Sequence, residues 1–390
     1  MYSTTTGYDN SAFGRDALGA NTSGINNTAL GWRSLYSNTT ASNNTAVGYQ
    51  AIMANTTGAS LTGVGTYALN ANTTGASNTA VGIEAMVSNT TGSNNSTLGQ
   101  NSLNNNTTGG QNVAIGKQAL RLNTTADNNT AVGYQALYSN TTGQNNVAIG
   151  KDALDSNTTG AQNVAIGLDC LQANTTASNN VGVGHSALEA NTTGGLNVAV
   201  GKNSLVLNTT GAYNTALGAS ALVYNTTADA NTAVGYQSSY FNTTGANNST
   251  LGFSAGKGNT TGGHNTSIGQ SAGRATNSGS ANTSVGSDAL RTNSTGANNT
   301  SMGKDALYSN TTASNNTGVG YRALYYNTTS NNNTAVGFEA AFNNSTGSVT
   351  ALGRYAARQN TTGTNNVALG LDAGYSTTTG SYNTSVGVSA

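Results

Sequence analysis

The chain has 390 residues but only 13 basic and 13 acidic side chains, so its formal net charge is zero. A surface without a strong field excludes partners selected by charge, such as nucleic acid, and the lack of any apolar run of about 18 residues excludes insertion into a membrane. The 51 glycines, the absence of proline and the single cysteine, Cys170, set the chain apart from an average globular protein and exclude disulfides within it.

A single short repeat runs through the whole sequence. A glycine that follows a small residue and an aliphatic residue recurs every 17 positions from Gly14 to Gly337, and none of these 20 glycines is out of register. Deletion of one residue between Asn343 and Thr350 then shifts the phase, and three further glycines complete 23 repeats. A fixed period of this kind indicates a solenoid. Residues 1–390 are therefore predicted to form a single continuous repeat array without a domain boundary.

Each repeat begins with a segment of strand character. Counted from the repeat glycine as position zero, the consensus is Asn at −4, Thr or Val at −3, Ala or Ser at −2, and Val, Ile or Leu at −1. Alternation with period two predicts a short strand in which −3 and −1 share one face. We assign the aliphatic −1 column and the Ala row at +3 to a narrow core. Cys170 lies in the +3 row, where it is expected to be a small buried substitute for Ala.

The second part of the repeat has turn chemistry. Ala or Ser at +3 is usually followed by Leu at +4, and Asn-Thr-Thr-Gly or Asn-Thr-Thr-Ala begins at +7. Only about eight residues separate the Leu from the next strand, and Asn and Gly tolerate left-handed backbone, so no helix of useful length fits. Positions +1, +2, +5 and +6 vary freely and are predicted to face solvent. They carry charged side chains such as Lys117, Arg121, Asp152 and Asp155.

The predicted fold class is all-β, a parallel β-solenoid or β-roll of 23 coils with one coil for every 17 positions and no helices. At about 4.8 Å per coil, this array would be a rod on the order of 110 Å long. Identical side chains then stack along the axis, and the Asn at −4, present in 21 of 23 repeats, is predicted to form a ladder of hydrogen-bonded amides. The structural residues chosen to represent these columns are Asn112, Asn129, Asn146 and Asn163 for the ladder and Gly116, Gly133, Gly150 and Gly167 for the repeat glycine.

The Asn at +7 is followed two residues later by Thr or Ser in 20 repeats. Each such segment is an acceptor sequence for N-glycosylation, so in a glycosylating host stacked glycans would coat one edge of the solenoid. In other hosts the same residues serve only as a turn. The candidate acceptors are Asn123, Asn140, Asn157 and Asn174.

Aromatic side chains cluster at +1, +5 and +6. Two interpretations stay open, which are stacking between neighbouring coils and a row that binds sugars. The residues concerned include Trp32, Tyr36, Tyr134, Tyr138, Tyr240, Phe241, Tyr325 and Tyr326.

No catalytic constellation is recognisable in the sequence. His185 and His264 lie in unrelated phases nearly five repeats apart, so they cannot form a metal site within one rod. The Gly-x-Gly segments at Gly63 and Gly182 only replace the Ala of position −2 and precede no helix. We therefore predict no enzymatic activity, no cofactor and no metal.

The two ends of the sequence lie within a repeat. Met1 falls at +4 and Ala390 at +3, so the end of one copy and the start of the next would continue the same repeat. Solenoids normally close their outer coils with atypical repeats, and neither end is predicted to carry such a cap. We expect either a segment of a longer array or a protomer that stacks head to tail into a filament.

The segment Asn-Val-Ala-Ile-Gly-x-x-Ala occurs at Asn112 and Asn146, and at Asn163 with Cys170 in the last place. It resembles the head repeat of trimeric autotransporter adhesins and similar repeats of phage and phage-like tail-fibre proteins. The resemblance extends over the whole chain as a periodic pattern. It implies a left-handed parallel β-roll that assembles as a homotrimer. The repeat here is longer than in the adhesins because of extra residues in the Asn-Thr-Thr-Gly turn.

These observations favour a structural rod of an extracellular fibre, filament or adhesin shaft, at a cell surface or on a virion, that displays a repeated surface rich in Asn and Thr. The expected partners are further copies of the chain, as a head-to-tail filament or a homotrimer, together with a host surface or glycans. One alternative is a phage tail-fibre shaft that binds a receptor or glycan. Another is a solenoid that binds ice or glycans through columns of Thr.

Overall fold

The structure is a computed structural model that describes residues 3–390. These residues form 23 strands and no helix, with equivalent strands separated by 17 positions in the sequence in all but one case. The prediction of an all-β parallel solenoid is therefore confirmed. Two compact units divide the chain between Leu196 and Asn197. Met1, which the phase of the repeat places at +4, lies outside the described residues.

Unit 1 runs to Leu196 and contains strands β1 to β11. Within this unit, consecutive strands pair in parallel and in register, so that Ala114 lies opposite Ala131 and Ile115 opposite Val132. The strands are β1 Ser11–Phe13, β2 Thr28–Leu30, β3 Thr45–Val47, β4 Thr62–Val64, β5 Thr79–Val81, β6 Ser96–Leu98, β7 Val113–Ile115, β8 Thr130–Val132, β9 Val147–Ile149, β10 Val164–Ile166 and β11 Val181–Val183.

Unit 2 runs from Asn197 to Ala390 and contains strands β12 to β23, again paired in parallel. The strands are β12 Val198–Val200, β13 Thr215–Leu217, β14 Thr232–Val234, β15 Ser249–Leu251, β16 Thr266–Ile268, β17 Thr283–Val285, β18 Thr300–Met302, β19 Thr317–Val319, β20 Thr334–Val336, β21 Val349–Leu352, β22 Asn366–Leu369 and β23 Thr384–Val386.

The predicted one-residue deletion lies in the turn between β20 and β21. There Ser348 at +11 is followed directly by Val349 at −4, so the left-handed +12 residue, which is Asn332 in the preceding coil, is missing. The shortened coil keeps its contacts, because Nδ2 of Asn360 still donates to Oδ1 of Asn344 at 2.8 Å. The deletion is therefore absorbed in an exposed turn, and the parallel register is kept.

Six positions of a typical coil point inward, namely −4, −2, +3, +4, +7 and +10. In the coil of Gly116 the side chains at these positions are at most 1% exposed. They belong to Asn112, Ala114, Ala119, Leu120, Asn123 and Ala126.

The prediction that the −1 column fills the core is wrong. Ile115 at −1 is 40% exposed, whereas Ala114 at −2 is fully buried, so the strand turns its small residue inward. The physical reason is the thinness of the coil, since the +4 side chain reaches the inner face of the sheet. A Cβ added to Gly63 at −2 would lie only 2.6 Å from Cγ1 of Ile52, the +4 residue of the preceding coil. A branched aliphatic side chain has no room there.

Three residues in a typical coil have left-handed backbone, at +2, +4 and +12. In the coil of Gly116 they are Gln118, Leu120 and Asn128, with φ of 61°, 52° and 60°. A left-handed Leu is unfavourable by roughly 1–2 kcal/mol, because its Cβ crowds the following carbonyl. Burial of the Leu side chain offsets this cost, and its backbone N–H donates to the carbonyl of Ala136 at 2.9 Å. These corners allow so short a coil to close on itself.

Candidate functional site

The predicted Asn column at −4 forms a buried ladder. The backbone N–H and Nδ2 of Asn146 both donate to Oδ1 of Asn129, at 2.9 and 3.2 Å. Nδ2 of Asn146 also donates to the carbonyl of Gly160 at 2.9 Å, which ties the strand to the +10 corner of the same coil. The backbone N–H groups of Asn129 and Asn163 bond in the same way to the preceding rungs, Asn112 and Asn146, at 3.0 Å. The four chosen residues therefore join successive coils and close each coil on itself.

A second buried amide column lies at +7, where the sequence suggested only a turn. Nδ2 of Asn140 donates to Oδ1 of Asn123 at 3.0 Å and to the carbonyl of Gly143 at 2.9 Å. Oδ1 of Asn140 accepts from Nδ2 of Asn157 at 2.9 Å. One signal in the sequence could have revealed this ladder: Asn is kept at +7 in 20 repeats, although a turn would also accept Asp, Ser or Gly.

The candidate glycosylation acceptors are rungs of this second ladder. Each side chain is fully buried, and both hydrogens of each Nδ2 are already donated, one to the preceding Asn and one to a carbonyl in its own turn. A glycan would replace one of these hydrogens and would need a path to solvent. The structure therefore does not support glycan attachment in the folded coil at Asn123, Asn140, Asn157 or Asn174.

The +7 ladder has a defect in unit 2. Thr276 occupies the rung after Asn259 and has no amide to donate. Oδ1 of Asn259 is consequently buried without a hydrogen-bond partner. Nδ2 of Asn259 keeps both of its bonds, to Oδ1 of Asn242 and to the carbonyl of Gly262. The defect removes two bonds between rungs, because Nδ2 of Asn293 donates only to the carbonyl of Gly296, and it leaves the Asn259 acceptor unsatisfied.

The repeat glycines stand where neighbouring coils approach most closely. Gly116 has φ of 130°, outside the range that residues with a Cβ adopt readily, and the other three chosen glycines have φ of 135° to 140°. A Cβ on Gly116 would also collide with the carbonyl oxygen of Gly133 in the next coil. Only glycine satisfies both conditions, which explains the regularity of Gly116, Gly133, Gly150 and Gly167.

The outward face of each unit is an uncharged strip. It carries Thr, Ser or Val at −3 and a large apolar side chain at −1, and none of the 23 strands contains a charged residue. The aliphatic side chains lie partly in water, with exposures of 38% for Ile149 and Ile166 and 53% for Leu98. Parallel, in-register pairing places equivalent side chains beside one another along each unit. The −1 side chains of the strip therefore form a continuous apolar column rather than scattered residues.

Aromatic rings stack between neighbouring coils, as one of the two interpretations predicted. The ring centroids of Trp32 and Tyr49 lie 4.8 Å apart. Those of Tyr308 and Tyr325 lie 5.0 Å apart with an interplanar angle of 9°, and Phe342 continues the stack at 5.3 Å. A role in sugar binding stays a hypothesis.

The +5 positions of unit 2 form a ridge of aromatic and basic side chains. Over nine successive coils this column contains no acidic and no aliphatic residue. We call it the +5 ridge, and it consists of Tyr240, Lys257, Arg274, Arg291, Tyr308, Tyr325, Phe342, Arg358 and Tyr375.

Among the titratable residues singled out from the sequence, Asp152 and Asp155 lie near each other. Cys170 is fully buried at +3, as predicted, and burial raises the pKa of its thiol to about 12. Burial and the nearby Asp152 carboxylate raise the pKa of Asp155 above its ordinary range. Within residues 3–390, no group of three or more His, Cys, Asp or Glu side chains is placed to hold a metal ion, so His185 and His264 belong to no such cluster.

No stretch of residues 3–390 forms a helix of the length and hydrophobicity that crossing a bilayer requires. No protein-family model matches the chain, and no curated protein is detectably similar to it in sequence. The amide ladders, the outward strip and the +5 ridge are therefore the features from which a function can be inferred.

Proposed function

We propose that the chain is a structural rod of an extracellular fibre, filament or adhesin shaft, and that copies associate side by side through the outward strip. The observation that supports this proposal is the exposed aliphatic column at −1. Burial of such a surface is favourable, and monomeric proteins rarely leave a continuous apolar strip in water. The absence of charge from the strip means that no ion has to be desolvated when two copies meet.

The size of the strip suits an interface between copies. In unit 1, eleven strands at about 4.8 Å and three residues at about 3.3 Å give a flat area on the order of 500 Å². A standard protein interface takes about 800 Å² from each partner. One unit therefore supplies more than half of that area. The homotrimer implied by the resemblance to adhesin heads would bury this strip around its axis.

The ladders support a mechanical role. Each regular coil is joined to the next by backbone pairing and by two columns of buried amides, as at Asn146 and Asn140. Repeats that contact only their neighbours gain stability from each added interface, so stiffness extends along the array. Head-to-tail stacking into a filament would use the same pairing between copies.

Sedimentation equilibrium of the full chain tests lateral association. We expect a mass of a small multiple of the 38.9 kDa chain, with three copies for the homotrimer. Replacing Ile149 and Ile166 by Lys should dissociate the assembly, because it places two charges in the strip. The matched control replaces Ile83 and Leu168, which are exposed apolar residues at +1, by Lys. A chain that is monomeric at every concentration, or a control that dissociates equally, would overturn lateral association.

Electron microscopy of the same samples separates the two modes of association. Lateral assembly predicts rods of uniform length that narrow in the Lys variant. Head-to-tail stacking predicts filaments that persist in the Lys variant. Immunogold labelling of intact cells or virions tests the proposed location, which requires label on the outer surface.

Ice binding is a second candidate that one observation favours. In unit 2, the −3 position is Thr or Ser in nine successive coils, on the flat outward face. These hydroxyls recur at about 4.8 Å and could order water. The turn Thr residues suit this role less well, since Oγ1 of Thr124 donates to the carbonyl of Thr141 at 3.1 Å. The column consists of Thr215, Thr232, Ser249, Thr266, Thr283, Thr300, Thr317, Thr334 and Thr350.

A thermal-hysteresis assay tests ice binding. We expect Thr283→Tyr, which places a bulky ring in the column, to abolish any hysteresis. Thr295→Tyr in an exposed turn is the control and should leave it unchanged. Absence of hysteresis in the unaltered chain would exclude this candidate.

A further inference from the structure

Unit 2 carries a hollow of about 430 Å³ beside the +5 ridge. Gly258 and Ala275 form its floor, because these small residues occupy +6 in two successive coils. Phe241, the +6 residue of the preceding coil, stands at one end, and Thr292 stands at the other. The hollow is therefore an open trough that spans about two coils.

Three cations of the +5 ridge line the trough, namely Lys257, Arg274 and Arg291. Since they occupy the same position of successive coils, their backbones are spaced about 4.8 Å apart. Arg291 is partly neutralised, because its guanidinium lies 3.4 Å from a carboxylate oxygen of Asp288 and donates to the hydroxyl of Tyr308 at 2.9 Å.

Two other arginines of unit 2 have carboxylate partners at +2. The guanidinium of Arg322 lies 3.4 Å from Asp305, and that of Arg358 lies 2.8 Å from Glu339. A carboxylate at +2 can therefore neutralise a cation at +2 or +5 of the following coil.

Lys257 and Arg274 lack such a partner. The +2 residues of their own and the preceding coils are Gln237, Ser254 and Ser271, and the sequence contains no Asp or Glu between Asp229 and Asp288. Nζ of Lys257 donates to the neutral Oε1 of Gln237 at 2.8 Å. Within residues 3–390, neither of these two cations forms an ion pair. Two adjacent positive charges therefore face the trough without an anion.

We propose that this trough binds an acidic oligosaccharide, with carboxylates of the sugar chain held by Lys257 and Arg274. Guanidinium and ammonium groups form strong charge-assisted hydrogen bonds with carboxylates. The ring of Phe241 offers an apolar surface against which a sugar can pack. The trough spans about two coils between Phe241 and Thr292, so a short stretch of a sugar chain can lie in it.

Charge and size favour this ligand over a nucleic acid. Nucleic acid binding depends on neutralising many phosphates, and two unpaired cations supply too few. The trough lies at +5 and +6, away from the outward strip at −3 and −1, so the inference holds whether or not copies associate. A rod that displays the trough would carry a binding site for the surface polysaccharide of a cell.

Isothermal titration of the full chain with an oligogalacturonate of defined length tests the proposal, and its methyl ester serves as the uncharged counterpart. The first variant is K257Q/R274Q. Its control, K117Q/K202Q, removes the same charge from two residues at +1, away from the trough. The second variant, Ala275→Tyr, fills the trough and keeps both cations. It should fold, because +6 already carries an aromatic residue in Phe241 and Tyr326.

We expect saturable binding of the oligogalacturonate and none of the methyl ester. K257Q/R274Q should weaken binding by about tenfold or more, since it removes the charge-assisted hydrogen bonds from both cations to the carboxylates. Ala275→Tyr should weaken it comparably, and K117Q/K202Q should leave it within about twofold. Three results would each overturn the proposal: no saturable binding to the unaltered chain, equal binding of the methyl ester, or an equal loss in K117Q/K202Q.

Discussion

The inward +4 position differs between a region of unit 1 and a region of unit 2. In the coils of Gly116, Gly133 and Gly150 it is Leu, and the facing −2 residue is Ala. In three successive coils of unit 2 the +4 residue is small, and the −2 residues that face it become Thr or Ser. The small +4 residues are Ser239, Gly256 and Gly273, and the enlarged −2 residues are Thr250, Ser267 and Ser284.

The side chains at +4 and −2 share one space inside the coil. A Cβ on Gly256 would lie 2.7 Å from Cγ2 of Thr250, just as a Cβ on Gly63 would lie 2.6 Å from Ile52. The polar version is hydrogen-bonded, because the hydroxyls of Ser239 and Thr250 lie 2.9 Å apart. Core chemistry can therefore change from apolar to hydroxyl-rich as long as the filled volume and the hydrogen bonds are maintained.

The largest expected effect comes from a break in the +7 ladder of the Leu-containing region. Asn140→Ala removes three hydrogen bonds, one each to buried groups of Asn123, Gly143 and Asn157. We expect a loss of about 4 kcal/mol in the free energy of unfolding, measured with urea. Asn259→Ala should cost less, because Oδ1 of Asn259 has no partner to lose. Equal losses would show that the ladder bond between rungs contributes nothing.

The Leu column should be next in importance. Leu137→Ala leaves a cavity in a fully buried site, so we expect a loss of about 3 kcal/mol in the free energy of unfolding. Ser239→Ala in the hydroxyl-rich region should cost about 1 kcal/mol, since one hydrogen bond is lost and little volume is removed. If the two losses were equal, apolar packing would not distinguish the two regions.

A double-mutant cycle tests the shared space directly. Gly256→Leu should destabilise the chain by about 2 kcal/mol, because the new side chain overlaps Thr250. Thr250→Ala in the same chain should recover about 1 kcal/mol or more relative to the sum of the single losses. Additive losses would mean that +4 and −2 do not compete for volume.

The stability lost when a buried thiol ionises shows how completely each region excludes water. The pKa of Cys170, raised by burial to about 12, exceeds the ordinary value of about 8.5, so stability is lost as pH rises above 8.5. At pH 10 the loss should exceed that of Cys170→Ala by about 2 kcal/mol, and this difference reports the thiol alone. A cysteine introduced at Ala272, next to Gly273 in the hydroxyl-rich region, should show a smaller loss. The measurement is urea unfolding at pH 8 and pH 10.

The smallest expected change in the free energy of unfolding comes from restoring the missing rung of the +7 ladder. Thr276→Asn supplies an amide that can donate to Oδ1 of Asn259, so we expect a gain of about 1 kcal/mol in the free energy of unfolding. Thr377→Asn, at the other Thr rung of the +7 column, is the comparison. A destabilised Thr276→Asn would contradict the assignment of this site as a missing rung.

The period, the strands, the deletion and the −4 ladder could all be predicted from the sequence. Each follows from a residue that recurs at one phase, as Asn112 and Gly116 do. The inward face could not be predicted, because alternation defines two faces without saying which is buried. Both Ala114 and Ile115 are apolar, and the distance between the sheet and the +4 side chain decides the outcome.

The +7 ladder and the trough depend on side-chain directions that composition does not reveal. An Asn in a turn and an Asn in a ladder look alike, and only the coil geometry turns Asn140 inward. The cations of the trough are visible in the sequence. The lack of partners for Lys257 and Arg274 becomes clear only when the +2 and +5 columns are placed side by side.

Cysteine labelling at two adjacent positions of β9 tests the central claim that the strand turns Ala inward and its aliphatic residue outward. Ala148→Cys and Ile149→Cys are compared in a Cys170→Ala background, at a dilution where sedimentation shows single chains. We predict that the thiol at 149 is alkylated at nearly the rate of the unfolded chain, whereas the thiol at 148 is protected until denaturant is added. Rapid labelling at 148 with protection at 149 would contradict the inward and outward assignment on which the outward strip and its proposed role depend.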